Sequence, residues 1–109
     1  VDVVVERFDV FWVRLYPTEG HEMRKTRPCV VVSPDEMNRH VATVLVAPVT
    51  TTLKNYPTRV PVRIAGKVGE AALDQLRSVD KARLARRVGR LDVKTGGKIL
   101  AVLGEMFAP

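Results

Sequence analysis

At 109 residues the chain is long enough for one hydrophobic core and too short for two, so residues 1–109 read as a single domain. Apolar residues make up 46% and charged residues 28%, a globular mixture that excludes a disordered or low-complexity chain. Eighteen Lys and Arg against twelve Asp and Glu leave a charge of +6, which points to a polyanionic partner, nucleic acid or an acidic peptide, with plain solubility as the alternative.

The apolar run from Val41 to Val49, interrupted only by Thr43, is far short of a membrane span. Val1 to Val5 has no basic region before it and runs into Glu6, Arg7 and Asp9, which does not resemble a secretion signal. No membrane partner is expected. Cys29 is the one cysteine, so no internal disulfide can form, and a reducing, cytoplasmic setting is the easier reading. Its neighbours Val30 to Val32 mark it as a core residue rather than a nucleophile.

Taken in order, residues 7–15 alternate as a strand with Phe8, Val10, Trp12 and Arg14 on one side and Asp9, Phe11, Val13 and Leu15 on the other. Both sides are partly apolar, so the strand lies between two layers or has one face at an oligomer contact. Tyr16 to Lys25 is a loop of about ten residues, long for a compact domain. It feeds a short buried strand, Cys29 to Val32, bounded by Pro28 and Pro34, with Arg27 at its mouth. A helical turn is predicted over Asp35–Asn38, and Val41 to Val49 is a central strand because it leaves no solvent face.

Asn55-Tyr56-Pro57 is a turn, and Arg59–Ile64 alternates, with Pro61 marking an edge strand or one with its amide directed outward. Ala65-Gly66-Lys67 reverses the chain into a weaker strand over Val68–Leu76. Ser78 or Asp80 is predicted to cap a short helical turn through Arg86, followed by a strand at Val88–Leu91. Asp92 then caps a C-terminal helix with an apolar stripe of Ile99, Leu100, Val102, Leu103, Met106 and Phe107. Gly96 and Gly97 weaken its first turn by about 1 kcal/mol each relative to Ala. The sum is a mainly β fold of the α+β kind: a small antiparallel β-barrel with a C-terminal amphipathic α-helix.

Several blocks carry a resemblance. Gly20-His21-Glu22, Thr26-Arg27-Pro28 and the valine run to Ser33-Pro34, Asn38, Ala47 to Thr52, Asn55-Tyr56-Pro57 and Leu73 to Asp80 stand in the order and spacing of the MazF/PemK (Kid) family of toxin endoribonucleases. The resemblance covers roughly Arg7 to Leu103 and rests on order rather than on any one block. It implies an SH3-like barrel, usually a homodimer, that cuts single-stranded RNA, mRNA in particular, in a sequence-specific and metal-independent way. The products would carry 2′,3′-cyclic phosphate and 5′-hydroxyl ends. It also implies a cognate antitoxin whose acidic, disordered tail covers the RNA groove, which a basic toxin suits. Where the family usually has a glycine before the aspartate of the first strand, this chain has Phe8.

The residues fit this chemistry. His21, His40 and Cys29 form no spaced set of metal ligands, and the carboxylates follow no calcium or zinc pattern, so neither a metal nor another cofactor is expected. Cleavage through the substrate's own 2′-hydroxyl needs charge stabilisation at phosphorus and proton transfers, and no protein nucleophile. Arg27, a planar fork of donors, is the first candidate to clamp the phosphate, as the family's Arg-Pro arginine implies. Thr50 is the hydroxyl the family has beside it, against the ordinary role of satisfying a turn. His21 is a candidate acid, base or phosphate donor, or a solvated loop histidine.

Asp74 and Gln75 match the family's Asp-Gln block, in which the aspartate has been proposed as base in some members. Those members have an arginine two residues earlier where this chain has Ala72, so Asp74 is read either as that base or, in preference, as a residue that holds Arg27 or Arg77. Glu22, Arg24, Lys25, Thr51, Thr52, Tyr56, Gln75, Arg77 and Arg86 complete the expected RNA-binding set. Arg77, Lys81, Arg83, Arg86, Arg87 and Arg90 make the densest basic segment, able to track an RNA backbone or to form a solvated face. Tyr56 and Phe11 are candidates to stack bases, and Trp12 to serve as core or dimer contact. Two other classes stay open: a gyrase poison of the CcdB kind, against which the ending Met106-Phe107-Ala108-Pro109 counts, and a non-catalytic RNA- or protein-binding barrel.

Overall fold

The computed structural model describes residues 4–15, 20 and 25–109. Seven strands form one curled antiparallel sheet: β1 Asp9–Arg14, β2 Thr26–Val31, β3 Thr43–Thr50, β4 Arg59–Ile64, β5 Lys67–Ala72, β6 Arg77–Asp80 and β7 Leu84–Arg90. Their order is β4-β5-β3-β2-β1-β7, with β6 also on β3. A short helix, α1 Asp35–His40, joins β2 to β3, and α2 Val93–Met106 ends the fold.

Residues along the central strands alternate between two cores, which is why these strands read as unbroken apolar runs. Val10, Val30, Ala47 and Val49 face one side with Val60, Val62, Leu73 and Ile99. Phe11, Val13, Cys29, Val31, Val44 and Val46 face the other with Leu15, Val79 and Leu84. The first strand therefore lies between two layers, one of the two placements its sequence allowed. Helix α2 closes the first core through the fully buried Ile99, with Val102, Leu103 and Met106 packed against it. Burying such a side chain contributes roughly 2 kcal/mol, comparable with what the two glycines cost the helix. Asp92 caps it as expected, accepting the Thr95 amide at 2.7 Å. Leu100 and Phe107, read as part of the stripe, are exposed instead.

Strand β3 organises the sheet. One edge pairs with β2 through Val46–Pro48, and the other takes β6 along Thr43–Val46 and β5 at Val49 and Thr50. The chain from β5 to β6 thus follows β3 and kinks once, at a 3₁₀ turn over Leu73–Gln75. Among the described residues strand β4 pairs only with β5, one of the positions that Pro61 indicated.

Two sequence expectations are corrected. Strand β2 starts at Thr26, so Arg27 and Pro28 lie inside it, opposite Val13 and Trp12. Pro28 is tolerated because the ladder on the β3 side begins only at Cys29, so that edge asks no amide of it. The helical turn expected through Arg86 is shorter: Asp80, one of the two candidate caps, caps a single 3₁₀ turn over Lys81–Arg83, while Ser78 belongs to β6 and β7 starts at Leu84. Pairing with β3 and β1 overrides the local preference of this charged stretch.

Candidate active site

Where the sheet curls without closing, the β4–β5 hairpin faces β1, β2 and β7 across a cleft of about 460 Å³. Its walls include three cations, Lys25, Arg27 and Lys67, together with Trp12, Val68 and Thr51. Arg27 is carried by a strand whose next residues are a proline, with its φ fixed, and Cys29, paired on both edges, so its backbone has little freedom. Lys25 enters the strand at φ 70, a conformation few non-glycine residues adopt, and its carbonyl accepts the Leu15 amide at 3.1 Å. Opposite, β5 approaches β3 so closely that a Cβ at Gly69 would lie 2.7 Å from the Thr50 carbonyl oxygen. Only glycine fits there, and this is why the strand over Val68–Leu76 was faint in the sequence.

Beyond β3 the chain makes no ladder and is tied down by side chains. The Thr50 hydroxyl, buried at the end of β3, accepts the Thr52 amide at 3.1 Å. Glu70, only 2% exposed, accepts the amides of Lys54 at 2.9 Å and Asn55 at 3.0 Å, one on each carboxylate oxygen. Arg59 lies over the Tyr56 ring at 5.1 Å, reaches Glu70 at 3.5 Å and binds both oxygens of Asp74 at 2.7 and 3.2 Å. The Thr58 hydroxyl adds a bond to Asp74 at 3.0 Å. The Lys54 amide, with those of Asn55 and the Arg59 charge, holds the Glu70 carboxyl below its ordinary range. Asp74 is likewise held down, chiefly by its hydrogen bond from Arg59. Glu70 and Arg59 were not singled out in the sequence. The only signal was a carboxylate at an inward position between Gly69 and Ala71.

Of the residues assigned from sequence, His21, Glu22 and Arg24 lie outside the described residues. Lys25, Arg27 and Thr51 meet in the cleft. Thr50 adjoins them through the chain, with Thr52 exposed beside it. Asp74 and Gln75 belong to the 3₁₀ turn after β5, where the cation held by Asp74 is Arg59. Arg77 donates to the Leu15 carbonyl at 2.9 Å, and Arg86 is exposed opposite Trp12. Tyr56 is half exposed beside Arg59, whereas Phe11 is a core residue. The basic segment is mostly committed to structure: Lys81 donates to the Asn38 carbonyl, Arg83 to that of Arg14, and Arg87 and Arg90 to the buried Asp9. Cys29 is buried between the layers, which pushes its thiol up to about 12 against a weaker pull from Arg77 and Arg27. Among the described residues no cluster of three or more His, Cys, Asp or Glu side chains could hold a metal, and no helix is long and apolar enough to cross a membrane.

A family model described as a PemK-like, MazF-like toxin of type II toxin-antitoxin systems matches residues 6–107. The chain belongs to this family. Among relatives of this PemK/MazF chain, the endoribonuclease toxin MazF of Escherichia coli is 38% identical over 82 residues, 74% of each chain. Endoribonuclease EndoA of Bacillus subtilis is 32% identical over 104 residues, 89% of each. The fold agrees with solved structures of the family. The crystal structure of MazF from Deinococcus radiodurans superposes with a TM-score of 0.85 at 28% identity, covering 96% of this chain and 97% of that one. A mycobacterial endoribonuclease in complex with its cognate antitoxin gives 0.81 at 25% identity, covering 96% and 97%.

Proposed function

We propose that this PemK/MazF chain is an endoribonuclease toxin that cleaves single-stranded RNA by attack of the substrate's own 2′-oxygen on phosphorus, without a metal. The P–O5′ bond breaks as the new bond forms, so the products are a 2′,3′-cyclic phosphate and a 5′-hydroxyl. The 2′-hydroxyl proton passes to a base, and the 5′-oxygen collects one from an acid. The observation that carries the reading is Arg27: a guanidinium on a strand held at both edges just beyond it, in a cleft shared with Lys25, Lys67 and Thr51. Charge accumulating on the non-bridging oxygens meets donors that need not reorganise, which is where such catalysis gains most.

Thr50 adds a hydroxyl whose oxygen is engaged by the Thr52 amide while its proton remains to donate to a phosphate or the 2′-oxygen. His21 is assigned to proton transfer, as an imidazole able to serve as acid or base. Asp74 suits an anchor for Arg59 better than a base, since its bonds from Arg59 and Thr58 lower its proton affinity. Glu22, Arg24, Lys25, Thr51, Thr52, Tyr56, Gln75, Arg77 and Arg86 are assigned to the RNA path. The chain acts as a homodimer and is neutralised by a cognate antitoxin with an acidic, disordered tail; the antitoxin complex of its mycobacterial structural relative supports that partner.

The test is cleavage of a long single-stranded RNA in excess EDTA by the parent chain and by Arg27→Ala, with end-group analysis. The parent should leave cyclic-phosphate ends, and the variant should lose activity on the order of 100-fold, as expected for removing one transition-state donor. A folded parent that cuts no RNA refutes the reading and redirects it to gyrase inhibition or passive binding.

A further inference from the structure

From the residues that tie down the chain after β3, we infer that Glu70 is a positioning residue for RNA cleavage: it fixes residues 51–55 so that Thr50 and Thr51 stand in working register with Arg27. The inference rests on the endoribonuclease reading above and deepens it.

Glu70 and Thr50 are directly opposed in the β3–β5 ladder, so their side chains share one face of the sheet. From that face they bind three loop amides between them, Thr52 on Thr50 and Lys54 and Asn55 on Glu70. Asn55 has φ 56, a left-handed turn of the kind that lets successive amides converge on an anion. The carboxylate is 2% exposed, and its contact with the guanidinium of Arg59, through Nη1, is long at 3.5 Å. A well-packed apolar residue would fill the same place in the core without desolvating a charge. What the carboxylate provides, and an apolar residue would not, is two acceptors aimed at the loop. The loop in turn supplies Thr51 to the cleft wall and the amide that orients the Thr50 hydroxyl. A shift of about 1 Å in such a wall is enough to slow chemistry about 100-fold while leaving most substrate contacts in place.

Glu70→Gln keeps the size of the side chain but turns one acceptor into a donor that faces an amide N–H. Asn55→Val loosens the same loop from its exposed side, since a β-branched residue resists positive φ, and leaves the Glu70 side chain itself in place. Both are to be compared with the parent by single-turnover cleavage under excess protein, by affinity for the same RNA with 2′-deoxy substitution at the cut site, and by amide exchange at residues 54 and 55. The expected result is a fall of about 10-fold or more in the saturated rate with affinity changed less than about 2-fold, and faster amide exchange. Near-UV circular dichroism identifies a variant that has failed to fold, in which case Asn55→Val decides. Parent-like saturated rates in folded variants overturn the inference, as does a loss confined to thermal stability. A parent chain that cleaves nothing overturns the endoribonuclease reading, and this inference falls with it. That outcome is distinguished by appearing before any substitution is made.

Discussion

Adding one methyl group at two adjacent glycines of α2 should change stability in opposite directions. Ala is favoured over Gly inside a helix by about 1 kcal/mol, and nothing lies within 4 Å of a Cβ built at Gly97, so Gly97→Ala should stabilise by about that amount. At Gly96 the same Cβ meets the Phe8 ring at 2.5, 2.7 and 2.8 Å. The ring has little room to retreat. Its backbone sits at φ 74, pinned by an amide bond to the Val31 carbonyl at 2.7 Å and by its own carbonyl accepting the Leu91 amide at 3.0 Å. Overpacking of this kind costs about 2 kcal/mol, so Gly96→Ala should lose about 1 kcal/mol net after the helix gain. The two variants should then differ by about 2 kcal/mol, or about 8 °C in Tm for a chain of this size. Urea and thermal unfolding measure the difference. In a Phe8→Gly background, which removes the ring and the strained φ together, Gly96→Ala should become stabilising. The packing argument is refuted if Gly96→Ala matches Gly97→Ala, or if its cost persists without the ring.

Besides the Arg27 and Glu70 tests, two titration predictions follow from burial and hydrogen bonding. Glu70 and Asp74 are held below their ordinary values in the folded chain, so between the folded and unfolded values the unfolded chain binds more protons. Their contribution to stability is complete above the usual carboxylate value of about 4 and is lost as pH falls through the lower folded values. The urea midpoint should drop on acidification, less steeply in Asp74→Asn; an unchanged slope would refute the tie to Arg59. Cys29, with its thiol raised from 9.0 to about 12, should resist alkylation at neutral pH until the chain unfolds. Because the unfolded thiol ionises first, stability should also decline as pH rises past 9. Equal labelling of the folded and urea-unfolded chain would contradict the burial.

The sequence by itself determined what local periodicity and breakers encode. Val41 to Val49 is apolar on both faces and had to be central, Pro61 pointed to an edge or an outward amide, and Asp92 followed by the Ile99 stripe had to begin a docked helix. The order of the Arg27, Thr50 and Asp74-Gln75 blocks led to the right family, and Lys25, Arg27 and Thr51 do share one cleft. Tertiary structure decided what depends on partners distant in the chain. Ser78–Arg86 suggests a helical turn, yet only Lys81–Arg83 forms one, and the flanking residues join two strands because β3 and β1 offer unpaired edges. Phe8 carries no sign of its left-handed backbone, which exists because the Val31 carbonyl and the Leu91 amide, 23 and 83 residues away, pin it. Glu70 acquires its role only when the loop after β3 folds back and gives its oxygens two amides to accept. A side chain's own chemistry is local and legible in sequence, whereas the identity of the group it meets is settled only by the sheet's register.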